Sequence, residues 1–374
     1  MRPLFDGVFR GLPVLVTGHT GFKGSWLSIW LHELGAKVIG YSCGSVSAPS
    51  NFDLCGLQRR GTHVAGDICD LDKLKWTLET HEPRVVLHLA AQSLVRVSYE
   101  EPKRTFDTNV GGTVAVLEAI RRTKSVAAFV GVTTDKVYED QGWVWGYREN
   151  DPLGGHEPYS ASKAAAELAI QSYRRSWAGP NFSQRPAAIA SARGGNVLGG
   201  GDFAPHRLVP DCVCALMAGT PIRLRQPRAI RPWQHVLDLL SGYLWLAANL
   251  LRQEGDEFSE AWNFGPAEGQ AVSCEAVVRE IIALWGQGSY TPAEQAAQGH
   301  ETPALRLNSV KAAERLAWRP AYDWREAVAA TVGWFKEYHD RAGAGGADMY
   351  DYCARQLAEY VEKAATLGLR WARP

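Results

Sequence analysis

The stretch VLVTGHTGFKGSWL, residues 14–27, sets three glycines, Gly18, Gly21 and Gly24, between a β-branched apolar run and a segment with apolar residues at helical spacing. The run Leu12–Thr17 reads as a strand and Phe22–Leu34 as a helix. Glycines at that junction permit a tight turn and let a pyrophosphate rest on backbone N–H groups at the helix N-terminus. A nucleotide-hydrolase phosphate loop would end in Gly-Lys-Ser, whereas the order here is Lys23-Gly24-Ser25, which excludes it. The spacing is G-x-x-G-x-x-G, and alone it also suits a plain structural turn. After a first strand and inside a βαβ unit, it predicts a dinucleotide site built from Gly18, Thr20, Gly21, Phe22, Lys23 and Gly24.

Outward from this turn, strands and helices alternate. Lys37–Ser42, His63–Ala65, Arg84–Leu89, Ala128–Val132 and Ala187–Ala192 read as strands. Helical spacing covers Leu71–Glu82, Asn109–Arg122 and a segment from about Ser160 to Trp177. The rhythm predicts an α/β fold, a doubly wound parallel sheet of the Rossmann kind. Beyond Asn196 it weakens, and prolines become frequent (Pro205, Pro210, Pro221, Pro227, Pro232). The expected division is a larger cofactor domain over 1–195, with a returning segment near 235–250, and a smaller, mixed α/β substrate-binding domain over 196–374. Met349–Leu367 reads as a final amphipathic helix.

Composition narrows the function classes. In 374 residues, forty basic side chains balance forty acidic ones, so no strong field gathers polyanions and nucleic acid is not an expected partner. The seven cysteines are scattered and odd in number, with no C-x-x-C pair. That pattern predicts a reduced, cytoplasmic chain without a disulfide framework or metal site. No stretch approaches the ~18 apolar residues of a membrane span, and no long apolar segment precedes the first strand. Most of the fourteen tryptophans sit in helix-like apolar patterns, such as Trp26, Trp30 and Trp245, which predicts core packing.

Three further features fall at strand ends. Leu89, Ala90 and Ala91 place small residues where a flat cofactor could approach, although tight strand-to-helix packing explains the alanines equally well. Asp67-Ile68 could contact an adenine edge, or Asp67 could cap the next turn. The strand at 128–132 runs out into Thr133-Thr134-Asp135-Lys136, which is either a solvated turn or chemistry at a sheet edge. Downstream, Tyr159 and Lys163 share one helix face by their i, i+4 spacing. Unperturbed, tyrosine titrates near ~10 and lysine near ~10.4. Beside each other and a cationic nicotinamide, positive charge favours phenolate and makes Tyr159 a usable base for a substrate hydroxyl.

With these residues in place, the chain resembles the extended short-chain dehydrogenase/reductase superfamily. Finer stretches resemble its CDP-glucose 4,6-dehydratases: GHTGFKGSWL (18–27), WVWGYREND (143–151), PYSASK (158–163), GNVLGGGD (195–202), RPWQHV (231–236) and WNFGP (262–266). The likeness runs from about residue 8 to beyond Trp318-Arg319-Pro320 and includes DMYDY (348–352). It implies bound NAD, a CDP-glucose substrate and a homodimer or homotetramer built on paired helices of the larger domain. It also implies roles. Tyr159, with Lys163 and Thr134, would take the 4-hydroxyl proton while hydride passes to NAD. The 4-ketone acidifies the C5 proton; its loss with the 6-hydroxyl leaves an enone, and hydride returns to C6. Asp135 would be the acid for the departing hydroxyl, which requires burial or hydrogen bonding to keep it protonated. Lys136 stands where dTDP-glucose dehydratases carry a Glu base, so it either serves the C5 proton or positions the substrate.

Ser93, Arg96, Asn196, Arg207, Leu208 and Arg231 fall where the resemblance implies the sugar, diphosphate and nucleotide are held. A planar guanidinium suits phosphate, but Arg231 also reads as a surface residue and Arg96 as a helix anchor. His235 and His19 read as structural. Two departures stand out: VIGYSCGS (38–45) has no acidic residue for the adenosine ribose, and Gly194 replaces an alanine of the branch, a methyl whose loss should matter little. Other readings are another nucleotide-sugar dehydratase, a 4-epimerase or reductase of the same superfamily, which needs no acid at 135, and a cofactor-sensing protein, which would tend to lose the Tyr159/Lys163 pair.

Overall fold

The computed structural model describes residues 4–45, 47–177, 187–252, 255–267, 269–270, 272–292, 305–343 and 348–373. Strand β1 (Pro13–Thr17) sends Val14 and Val16 to one face of a sheet and Leu15 to the other, and all three are buried. Burial on both faces is what a continuous apolar run dictates, because a parallel sheet carries helices on each side. The first half alternates as the sequence predicts: α1 (Phe22–Glu33), β2 (Lys37–Ser42), α2 (Asn51–Leu54), β3 (Thr62–Ala65), α3 (Leu71–His81), β4 (Val85–His88), α4 (Val95–Glu100), α5 (Pro102–Phe106), α6 (Gly112–Arg121), β5 (Ala128–Val132), α7 (Pro158–Trp177) and β6 (Ala188–Gly194). The second half holds β7 (Asn196–Leu198), α8 (Leu208–Met217), β8 (Ile222–Leu224), β9 (Ile230–Arg231), β10 (Trp233–His235), α9 (Val236–Leu250), β11 (Ala261–Phe264), β12 (Val272–Ser273), α10 (Cys274–Trp285), β13 (Tyr290–Pro292), α11 (Val310–Arg315), α12 (Trp324–Gly343) and α13 (Tyr350–Thr366).

Seven strands pair in the order β3-β2-β1-β4-β5-β6-β11, all parallel. The chain leaves β1 toward β2 on one side and returns to β4 on the other, which opens a crevice outside the carboxyl ends of β1 and β4. Helices α3, α6 and α7 close one face over Leu15, Val86 and Phe129. Helices α1 and α9 close the other, and both are buried nearly all round, as expected for helices apolar on every side. The remaining strands form three two-stranded sheets, β7 with β10, β9 with β12 and β8 with β13.

Two parts of the span 196–374 pack on the elements of the first half. Strand β11, at 261–264, joins the main sheet beside β6, and α13 packs on α1 with Tyr360 edge-on to Trp30. Both lie in the span read as the smaller domain. Their apolar faces match exposed sheet edge and helix surface from residues more than 60 positions away, a pairing that local periodicity does not encode. Seven tryptophans, Trp26, Trp30, Trp245, Trp262, Trp318, Trp334 and Trp371, are fully buried, in keeping with core packing. Among the described residues, no helix is long and apolar enough to cross a membrane.

Candidate active site

The turn between β1 and α1 is built by steric exclusion. Gly18 has φ +71°, and a Cβ there would stand 2.8 Å from the backbone of Ala90. A Cβ at Gly24 would stand 2.2 Å from the Gly18 carbonyl oxygen. The loop therefore presses against the small residues after β4, with Ala90 packed on the turn. Ala90 N–H also donates to Thr17 Oγ1 at 3.2 Å, and Leu89 N–H to the Thr17 carbonyl at 3.2 Å. Gly21 precedes α1 with no side chain to cap it, so the first-turn N–H groups around Phe22 and Lys23 face the crevice with the positive end of the helix dipole. The Thr20 hydroxyl donates to the Gly44 carbonyl at 2.6 Å and lies 2.7 Å from Ser42 Oγ, tying the loop to the end of β2. His19 is similarly structural, with Nε2 2.7 Å from His63 Nδ1 and a pKa lowered to about 4 by burial and by His63.

One cleft of about 970 Å³ at these strand ends is lined by every candidate residue from Gly18 to Arg231. Asp67 lines it while its carboxylate accepts from Cys69 N–H at 2.9 Å, so the capping alternative is realised there. Ile68 packs against Gly112. Helix α7 begins on Glu157, whose carboxylate accepts from the N–H groups of Tyr159 (2.7 Å) and Ser160 (3.1 Å). That cap aims Tyr159 and Lys163 at the end of β5, where Lys163 Nζ donates to the Val132 carbonyl at 3.1 Å. Burial pushes the Tyr159 phenol up to about 12, against the pull of a Thr134 hydrogen bond and of Arg207. Lys163 is lowered to about 8 by burial and then by Lys23, with Glu167 opposing. The protein's own charges therefore do not make the phenolate; burial outweighs them.

The residues after β5 are not a solvated turn. Thr134 and Asp135 are buried, and Thr134 Oγ1 donates to Asp135 Oδ1 at 3.0 Å. Asp135 Oδ2 is buried with no hydrogen-bond partner among the described residues. Desolvation raises the Asp135 pKa despite Lys136, the Thr134 hydrogen bond, Arg231 and Lys23. A Cβ at Gly195 would lie 3.2 Å from Oδ2. A methyl at Gly194 would lie 2.7 Å from Cδ1 at the flexible tip of Leu239.

On the opposite wall, Arg207 stands before α8, which begins at Leu208; its Nη1 pairs with Asp202 at 2.9 Å and its Nη2 donates to Ser93 Oγ at 3.2 Å. The guanidinium thus joins the loop after β4 to the loop before α8. Arg231 is buried rather than a surface residue, with Nη1 donating to the Ile230 carbonyl at 2.9 Å. Asn196 is half-buried at the start of β7, and Arg96 is exposed at the rim on α4. His235 is buried at the start of α9 and accepts from Leu237 N–H at 3.3 Å, in line with its structural reading. Sequence reasoning missed Asp202 and Glu157. The first ends the quoted GNVLGGGD, and the second precedes the Pro158 that opens the helix, which is a helix-start signal.

The chain is similar to known proteins along most of its length. A family model described as GDP-mannose 4,6 dehydratase matches residues 15–331. The chain is 43% identical over 354 residues to the CDP-glucose 4,6-dehydratase of Salmonella typhimurium, covering 94% of this chain and 97% of that one. Among solved structures, the dTDP-glucose 4,6-dehydratase of Streptomyces venezuelae with NAD bound is similar at TM-score 0.74 and 25% identity, over 88% of this chain and 98% of that one. An epimerase of Methanothermobacter thermautotrophicus is similar at TM-score 0.76 and 25% identity, over 89% and 95%.

Proposed function

The chain belongs to the GDP-mannose 4,6 dehydratase family, and from that premise we propose that it is an NAD-dependent hydro-lyase converting CDP-D-glucose to CDP-4-keto-6-deoxy-D-glucose and water. The observation that carries the choice of reaction is Asp135: a buried carboxyl, raised by desolvation, with one oxygen unpaired in the same cleft as Tyr159 and Lys163. A group held protonated beside the sugar is what departure of a hydroxyl requires, and simple oxidation or epimerisation does not.

The β1–α1 turn fits NAD, because the space that a Cβ at Gly18 or Gly24 would fill keeps the backbone close and the first-turn N–H groups open. Bound NAD would supply a hydride acceptor for sugar C4 and a donor for C6, and a cationic ring that would lower the Tyr159 phenol. Tyr159 then takes the 4-hydroxyl proton, with Thr134 hydrogen-bonding the phenol and Lys163 fixed to the end of β5. Asp135 donates its proton to the leaving 6-hydroxyl. Lys136, half-buried beside it, serves the C5 proton, directly or through a water. Arg207 and Arg231 hold the diphosphate, Ser93, Arg96 and Asn196 line the sugar and nucleotide end, and Asp67, Ile68, Leu89, Ala90 and Ala91 border the cofactor.

Purified protein incubated with CDP-glucose, without added reductant, should give a product one water lighter with a new C6 methyl doublet in its proton spectrum. An isomer of unchanged mass would sink the dehydratase and favour the epimerase. Lys136→Met should slow exchange of the C5 proton while NAD reduction by substrate stays detectable; full rates in both steps remove Lys136 from the mechanism. The enzyme is assigned to the cytoplasm as a homodimer or homotetramer. Scattered thiols support a reducing compartment. Exposed Tyr99, Phe106 and Leu168 on α4, α5 and α7 offer apolar surface for helix pairing, which sedimentation equilibrium tests directly.

A further inference from the structure

Beneath the end of β5 lies a buried polar chain that the reaction scheme does not use. Thr133 Oγ1 donates to Glu167 Oε1 at 2.5 Å, and Glu167 Oε2 accepts from Ser191 Oγ at 2.8 Å. The same oxygen pairs with Arg193 Nη2 at 2.9 Å, with both side chains almost fully buried. Arg193 Nη1 donates to the Tyr138 hydroxyl at 2.8 Å, and that hydroxyl donates to Asn263 Oδ1 at 2.7 Å. Asn263, in β11, holds the Tyr147 carbonyl at 2.9 Å through its Nδ2. Burial keeps Tyr138 a neutral phenol, able to accept from one partner and donate to the other.

The arrangement has a specific geometry. Thr133 and Tyr138 bracket the segment Thr134-Asp135-Lys136-Val137, and each is tied to a different member of one buried ion pair. A buried ion pair is a poor source of net stability, since well-packed apolar residues of similar volume serve as well or better. What it supplies is a fixed position, because its directional bonds accept one arrangement of their partners. We propose that Tyr138 is a positioning residue for the dehydration half of the reaction, holding Asp135 and Lys136, through Arg193 and Glu167, in register with the sugar that Tyr159 engages. The inference rests on the dehydratase reading. Glu167 follows Lys163 by one helical turn and Thr133 precedes Thr134, so the same ion pair also references the oxidising residues. Tyr138 lies on the far side, nearest Lys136 in the chain.

Glu167→Gln would strand a buried guanidinium, so the test uses Tyr138→Phe, which keeps the ring stacked on Tyr147 (centroids 5.1 Å apart) and removes only the hydroxyl. The NAD-loaded wild type and variant are each mixed with CDP-glucose in deuterated water, following reduced nicotinamide by absorbance and deuterium at C5 and C6 by mass. The variant should reduce its NAD but lose dehydration by about 10- to 100-fold, the scale of a misplacement near 1 Å, so that reduced nicotinamide accumulates while KM changes little. Thr133→Val, which cuts the chain at its other end, should slow dehydration as well. Unchanged dehydration in Tyr138→Phe overturns the proposal, as does an equal slowing of both half-reactions, which would mark a merely structural residue. A wild type that loses no water from CDP-glucose overturns the dehydratase reading and this inference with it, and is told apart because the failure precedes any variant.

Discussion

Burial holds the Asp135 carboxyl above its ordinary range although Lys136, Arg231 and Lys23 all pull it down. The sign of the consequence for stability follows. A raised native pKa means that the folded chain keeps a proton that the unfolded chain has lost, so this group's contribution is full below the ordinary value of 3.8 and disappears as pH rises through the native value. Each unit of upward shift is worth about 1.4 kcal/mol, and above the native pKa the whole amount acts against the fold. Asp135→Asn removes that cost. The variant should melt at or above the wild-type temperature at pH 8 by calorimetry, while product formation falls by about 10²-fold or more and NAD reduction by CDP-glucose persists. A less stable variant with normal turnover would remove both the buried acid and its role. At this scale the sequence supplied residue types and spacing: Thr134, Asp135, Lys136, Tyr159 and Lys163 were all legible. Asp202, Glu157 and the Glu167–Arg193 pair were not, because a buried carboxylate is recognised by its partner, and these partners stand elsewhere in the chain.

At the scale of elements, the β1–α1 turn shows steric exclusion outweighing helix propensity. Alanine in place of glycine inside an exposed helix would gain about 1 kcal/mol. At Gly24 the added Cβ would meet the Gly18 carbonyl oxygen at 2.2 Å and His19 Cα at 2.6 Å, both backbone atoms with little freedom to yield. The turn must open, and the N–H groups it presents must move with it. Gly24→Ala should therefore weaken NAD binding by about tenfold or more, equivalent to 1.4 kcal/mol, read by titration calorimetry on cofactor-free protein. Unaltered affinity would show that the pyrophosphate does not use this turn. The strand and helix sequence of the first half was legible because each strand is a short apolar run closed by glycine or polar residues and each helix keeps its own period. The entry of β11 into the sheet was not, since a four-residue strand, AWNF, becomes a strand only by pairing with β6.

For the whole molecule, one buried acid ties α9 to α13. Asp238 Oδ1, in the first turn of α9, accepts from Ala321 N–H at 2.6 Å and from the Tyr360 hydroxyl of α13 at 2.8 Å. Burial raises its pKa from 3.8 to about 7. The native state thus binds a proton that the unfolded state lacks between those values, and stability should decline by about 4 kcal/mol as pH rises from 4 to 8. Asp238→Asn, which retains an acceptor for both donors, should flatten that decline and exceed the wild type above pH 7 in a series of thermal melts. An unchanged pH slope would refute the assignment. Phe5 stacks on Trp371 at 5.2 Å, so residues near both ends of the described chain meet in one core cluster. The sequence by itself determined the doubly wound sheet, the glycine turn after β1 and the placing of Tyr159 and Lys163 on one helix face, because those depend on local spacing along strands and one helix. Only the tertiary structure decided that β11 joins the main sheet and α13 packs on α1, that burial outweighs neighbouring charge at Tyr159 and Asp135, and that Thr133 and Tyr138 are tied to the two members of one buried ion pair. Desolvation and partner geometry arise when distant segments exclude water together, and no local pattern carries them.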